Sequence, residues 1–271
     1  MSSPDPDGDA DRDGDRGGGR GETARYVYAV ARAADVGDGD VAGLTGIAGT
    51  PVRLVGEGEL VAVVGDVDRS GLASMEQGVD DLARLAADAR AHHHVVDTLG
   101  RTHTVAPLSL ATVYFEDDRV REVLRGGHDV LLDLLRQLAG RSEWGIKVWV
   151  RSGSSAGTEE ERPRSGADYL RRRRQALRDR EQGVDDASRA ADEVHERASA
   201  IADDVRRHRP QESALTGREE RQVLNGAYLT DAEGAAALRG LVAELADHPR
   251  LQVEMTGPWV PYSFVRGPDP A

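Results

Sequence analysis

The chain has no cysteine, which excludes a disulfide framework, a thiolate zinc site and a thiol nucleophile. Aromatic residues are scarce, with two Phe, three Trp and six Tyr in 271 residues. Cores must therefore rely on Leu, Val and Ala. No run approaches the roughly 18 apolar residues that cross a bilayer, and the first residues are acidic with no apolar stretch, unlike a secretory signal. Basic residues number 35 against 48 acidic ones, giving a formal net charge of −13 and a pI of about 5.1. That balance disfavours phosphate neutralisation, so neither nucleic acid nor an anionic membrane is an expected partner. There is no GxSxG, no Walker-type loop and no GxGxxG. Gly56-Glu57-Gly58 lies between two β-rich runs and reads as a hairpin turn, not a phosphate loop. No catalytic residue, cofactor or metal site is expected, and a cytoplasmic protein is the default reading.

What is present falls into segments. Residues 1–24 are Asp, Gly, Arg and Pro with almost nothing to bury, as in a disordered acidic tail. Asp9, Asp11 and Asp13 match the first half of a calcium loop, but Arg20 stands where a bidentate Glu is needed. RYVYAVAR (25–32) is apolar on both faces, which predicts a central strand. PVRLVGEGELVAVVGDV (51–67) predicts a hairpin. Leu72, Met75, Val79, Leu82, Ala86, Ala89, His93 and Val96 step by three or four, one stripe of a helix ending near Gly100. THTVAPLSLATVYF (102–115) is β-rich, with Pro107 at a bend or edge. A second helix is expected over 117–139, weakened at Gly126-Gly127, and EWGIKVWV (143–150) predicts a strand. The economical packing is α+β: an antiparallel, ferredoxin-like sheet over 25–150 with both helices on one face. Residues 151–167 read as a linker. Over 168–266 a smaller α+β domain is expected, followed by a short tail at 267–271. Its spacing of Val184, Ala187, Ala191, Val194, Ala198, Ile201, Val205 and His208 predicts a helical hairpin or short intramolecular coiled coil. Two β-rich runs (212–217 and 222–230), a helix (231–247) and the strand LQVEM (251–255) complete it.

Three constellations invite a functional reading. His92, His93 and His94 point 100° apart on a helix and cannot converge on one metal; His93 on the stripe is expected to be partly buried. Arg171 to Arg174 form a basic run in an acidic chain, read first as a solvated helix face. The stretch TGPWVPYSFV (256–265) gathers Trp259, Tyr262 and Phe264 where two prolines argue against a regular helix or a central strand. A disordered tail avoids aromatics, so this stretch is expected to pack, chiefly within the second domain, and to influence how the two domains meet.

RYVYAV, AHHHVVDTL (91–99), TVAPLSLATVYF (104–115), RSEWGIKVWV (141–150), GADYLRRR (166–173), NGAYLT (225–230) and TGPWVPYSFV occur in this order. Together they resemble the gas vesicle GvpF/GvpL family over roughly residues 25–266. Ser109-Leu110-Ala111 departs from the Arg-Phe-Gly character usual after TVAPL. The resemblance implies a two-domain α+β protein that is not an enzyme. It implies an accessory factor that binds the small hydrophobic shell protein, acts with other accessory proteins and is vesicle-associated. His93, Pro107, Leu108, Trp144, Trp259, Tyr262 and Phe264 are the candidate partner-binding residues. Apart from the resemblance, a small-molecule-binding regulator or enzyme on a ferredoxin-like sheet, and a coiled-coil scaffold that dimerises through 184–208, remain open.

Overall fold

The computed structural model describes residues 23–68, 82–151, 166–211, 218 and 220–265. The acidic segment with its calcium-like spacing, most of the expected linker and the run at 212–217 lie outside the described residues. The order is β1 (Thr23–Arg32), α1 (Asp38–Val41), a 3-10 turn (Ile47–Gly49), β2 (Val52–Glu57) and β3 (Leu60–Asp68). Then come α2 (Leu82–Gly100), β4 (Val105–Pro107), β5 (Val113–Tyr114), α3 (Asp117–Gly126), α4 (His128–Leu138) and β6 (Ser142–Val150). The last part holds α5 (Gly166–Ser199), β7 (Asp204–Arg207), β8 (Gln222–Thr230), α6 (Ala232–Glu244), β9 (Leu251–Trp259) and a 3-10 turn (Tyr262–Phe264).

Two antiparallel sheets result. The first has the order β2-β3-β1-β4, with β5 also on β1; the second has the order β7-β8-β6-β9. β1 is central, as its two apolar faces require. A register shift between Val27 and Ala29 lets Tyr26, Tyr28 and Ala29 face one side while Val27 and Val30 face the other. Tyr28 is seated by glycine: a Cβ on Gly46 would lie 2.0 Å from its hydroxyl. The expected hairpin at Gly56-Glu57-Gly58 is present, pairing β2 with β3.

The expectation of both helices on one face is corrected. Val95, Val96 and Leu99 of α2 pack with Tyr26 and Tyr28. Val120 and Leu124 of α3, with Leu131, Leu132, Leu135 and Leu138 of α4, pack with Val27, Val30 and Val64 on the opposite face. β1 and β3 are apolar on both sides, so each face needs its own cover. The expected second helix is broken at Gly127, which ends α3 and starts α4.

EWGIKVWV also changes place. As β6 it pairs with β8 and β9 and sits inside the second sheet, not in the first as expected. The expected helical hairpin or coiled coil is one continuous helix, α5, lying on that sheet. Ala187, Ala191, Val194 and Ala198 meet Ile146, Val148, Leu224 and Tyr228. The small side chains do permit close approach, but to strands and to α6, while Val205 lies in β7 and His208 follows it. The two sheets share a core, because Ala227 and Leu229 of β8 join the α3–α4 cluster.

One polar cluster ties the first sheet to α3. Asp117 accepts from Arg25 Nε at 2.6 Å and from both terminal nitrogens of Arg53 at 2.8 and 2.9 Å. Hydrogen bonds from Arg53, then from Arg25, hold its carboxyl down to about 2. The folded value lies below the unfolded one, so its stabilisation is full above about pH 4 and is lost as pH falls toward 2. Asp117→Ala is expected to cost about 1–2 kcal/mol at pH 7. An unchanged urea midpoint would reject that assignment.

Candidate functional site

The C-terminal stretch begins as strand, and not as the central strand that its prolines argue against. β9 is an edge strand and runs through Trp259, a position where proline is tolerated. Gly257 has φ 127°, and a Cβ there would lie 2.8 Å from the Glu143 carbonyl and 2.9 Å from the Trp144 ring. Only glycine fits both conditions.

Beyond β9 the side chains diverge. Val260 and Tyr262 enter the α2 side of the first sheet's core, and Phe264 enters the core shared by the two sheets. The segment is therefore a strap across the first sheet's helices, rather than a cover confined to the second sheet. Ser263 fastens it: its N–H donates to Glu143 Oε2 at 2.8 Å and its hydroxyl to Oε1 at 2.7 Å. The Arg206 guanidinium stands 5.2 Å from the Phe264 ring centre.

Trp259 alone of these aromatics faces outward, with 44% of its surface exposed. Its ring centre lies 6.1 Å from that of His93, which is 6.4 Å from Tyr262. Beside it opens a cleft of about 430 Å³, lined among others by Arg101, His103, Leu138, Arg141, Pro258 and Trp259. The ionisable groups of the wall are paired. Arg101 holds Asp97 at 2.7 Å, Arg141 holds Asp203 at 2.9 Å and His103 faces Asp40 at 3.2 Å. Among the described residues, no group of three or more His, Asp or Glu is arranged to hold a metal. A wall of paired charges around an exposed indole is suited to contact, through an amphipathic aromatic and its apolar surroundings.

The other sequence candidates lie elsewhere. Pro107 and Leu108 are buried around β4, Trp144 is buried beneath α6 with Arg239 5.3 Å from its ring, and Phe264 is buried in the strap. Thus the structure brings His93, Trp259 and Tyr262 together and separates the remaining four. Arg101, His103 and Arg141 had no signal in the sequence, because they come from two chain turns that meet only in the fold.

His93 is partly buried, as expected, but the fully buried histidine is its neighbour His92. It is 3% exposed. Of the expected stripe, Leu72, Met75 and Val79 lie outside the described residues and Val96 is buried as expected; at Ala89 and His93 the buried face lies one residue earlier, at Asp88 and His92, because the sheet opposite presents tyrosine hydroxyls. Tyr26 Oη accepts from the Ala111 N–H at 3.0 Å and has its own proton to donate to His92 Nδ1 at 2.9 Å. That places the hydrogen of the neutral imidazole on Nε2. Burial pushes its pKa down to about 4, with the Leu108 carbonyl opposing and His93 adding to the fall.

Comparison with known proteins gives a consistent result. The sequence model of the family described as "Gas vesicle synthesis protein GvpL/GvpF" matches residues 24–266. Gas vesicle protein L of Streptomyces sp. (strain CB03234) is 41% identical over 247 residues, covering 89% of this chain and 92% of that protein. Gas vesicle protein F1 of Halobacterium salinarum is 24% identical over 244 residues, covering 89% and 92%. The crystal structure of GvpF from Anabaena sp. PCC7120 superposes with a TM-score of 0.65 at 16% identity, covering 90% of this chain and 96% of that one.

Proposed function

The chain belongs to the GvpL/GvpF family of gas vesicle synthesis proteins, and from that premise we propose that it is an assembly factor. In this reading it binds the small hydrophobic shell protein in the cytoplasm and supports nucleation or growth of the vesicle, together with other accessory proteins. The observation that carries the reading is the exposed indole of Trp259 at the rim of the cleft, held by a strap whose other aromatics are buried. A carrier for an aggregating partner needs an apolar contact on an otherwise charged, soluble surface. The formal charge of −13 supplies the second requirement. No helix among the described residues is long and apolar enough to cross a membrane.

The test is co-expression with the shell protein, followed by affinity capture of soluble complexes. Trp259→Ala is expected to reduce capture roughly tenfold or more, the scale of an aromatic anchor. Its thermal midpoint is expected to shift by no more than a few degrees, because the ring is nearly half in solvent. Capture by Trp259→Ala equal to that of the parent would remove the cleft from the interface. Absence of capture by the folded parent, with the other accessory proteins also present, would reject the shell-binding role itself.

A further inference from the structure

Among the described residues of α5, the buried ones are Ala187, Ala191, Val194 and Ala198, all in its C-terminal half. The helix has 34 residues, so roughly 30 Å of it precedes Ala187. On the N-terminal half, Arg173, Arg174, Arg178 and Gln182 are exposed, and Leu170 is 53% exposed. Arg171, Arg174 and Arg178 stand at i, i+3 and i+7, so they share a face with Leu170 and Gln175. A block of arginine on a chain of formal charge −13 is a local reversal of the overall field.

We propose that this arginine face is the docking site of the chain's own acidic segment, residues 5–15. That segment reads DPDGDADRDGD, with an aspartate at every second position from Asp5 to Asp15 and one arginine. In an extended chain, alternate residues face one side and recur about every 6.5–7 Å. Along a helix, residues four apart recur about every 6 Å. The rise from Arg174 to Arg178 is therefore close to one aspartate repeat, and the shorter step of about 4.5 Å from Arg171 to Arg174 is taken up by the long arginine side chains. Seven residues separate Asp15 from Thr23, a tether of up to roughly 25 Å. Tethering also decides between occupants. A free acidic partner is repelled by the rest of this chain, whereas the linked segment is presented at millimolar effective concentration, on the order of magnitude for short tethers.

The absence of cysteine permits a direct test by energy transfer. Ala10→Cys and Gln182→Cys, labelled with a donor and an acceptor in the full-length chain, are expected to show high transfer at about 20 mM salt. The docked-to-free ratio is expected to fall roughly tenfold near 0.5 M salt, where screening is strong and several weak exposed pairs are lost together. Arg174→Glu with Arg178→Glu is expected to abolish the low-salt transfer while leaving far-UV circular dichroism unchanged. A second labelled chain, with Asp5, Asp7, Asp9, Asp11 and Asp13 replaced by Asn, leaves the helix intact and is expected to lose transfer as well. Transfer that is indifferent to salt, or that survives either set of substitutions, would overturn the proposal.

Discussion

Phe264→Ala is expected to lower the free energy of unfolding by about 3–5 kcal/mol, the range for a fully buried phenylalanine. Its ring is 3% exposed and packs in the core that includes Leu135 and Leu138 of α4 and Ala227 and Leu229 of β8. Truncation leaves a cavity where the two sheets meet. It also removes the ring that Arg206 faces at 5.2 Å. The strap has other anchors, Val260 and Tyr262 in the first core and Ser263 on Glu143, so relaxation of the backbone into the cavity is resisted. For a protein of this size the thermal midpoint should drop by roughly 10 °C. Urea unfolding of Phe264→Ala beside Trp259→Ala separates stability from contact: the first should be costly and the second nearly neutral. A Phe264→Ala cost below about 1 kcal/mol would mean that the strap's aromatic does not join the cores.

Acidification from pH 7 to pH 4 is expected to remove about 2–3 kcal/mol of stability through His92 alone. The sign follows from which state takes up the proton. In the folded chain the imidazole is buried and its pKa is pushed down to about 4; unfolded, it titrates near 6.5. Between those values the unfolded chain holds more protons, so stability is full above about pH 6.5 and falls as pH drops toward 4. This window is separate from that of Asp117, which opens only below about pH 4. His195 acts in the same direction as His92. Its pKa is lowered by burial and then by Arg207, and its Nδ1 pairs with Tyr228 Oη at 2.8 Å. Its larger exposure to solvent makes its share smaller. The measurement is the urea unfolding free energy at several pH values for the parent and His92→Asn. The variant loses stability at pH 7, because the Tyr26 hydroxyl and the imidazole's packing are disturbed. The difference between the two curves should shrink as pH falls from 6.5 to 4. Parallel curves across that range would show that His92 is not held neutral by the fold.

Much of the local structure was legible without coordinates. The two-sided apolar character of RYVYAVAR marked a central strand, and Gly56-Glu57-Gly58 marked a hairpin, because period and turn chemistry are local properties. The ordered fragments from RYVYAV to TGPWVPYSFV carried the family. The errors concern partners. EWGIKVWV has the same alternation whichever sheet receives it, so its transfer to the second sheet depends on long-range pairing with β8 and β9. The 3-4 spacing of α5 reports an apolar seam without saying whether a helix or a sheet fills it. The stripe of α2 was read through Ala89 and His93 where Asp88 and His92 are buried, since alanine weakly marks a buried face and a histidine paired to a tyrosine hydroxyl is not scored as apolar.

The candidate site divides in the same way. TGPWVPYSFV announced an ordered aromatic segment because proline and tryptophan have little reason to cluster in a solvated tail. Which aromatic faces outward was invisible in the sequence, and so was the cleft assembled from Arg101, His103 and Arg141. By itself, the sequence determined the family, the acidic and cysteine-free chemistry, and most individual strands and helices. Only the tertiary structure decided which sheet each strand joins, which face each helix covers, and that Trp259 stays exposed while Phe264 is buried. Those outcomes depend on contacts between residues far apart in the chain, and no local periodicity encodes them.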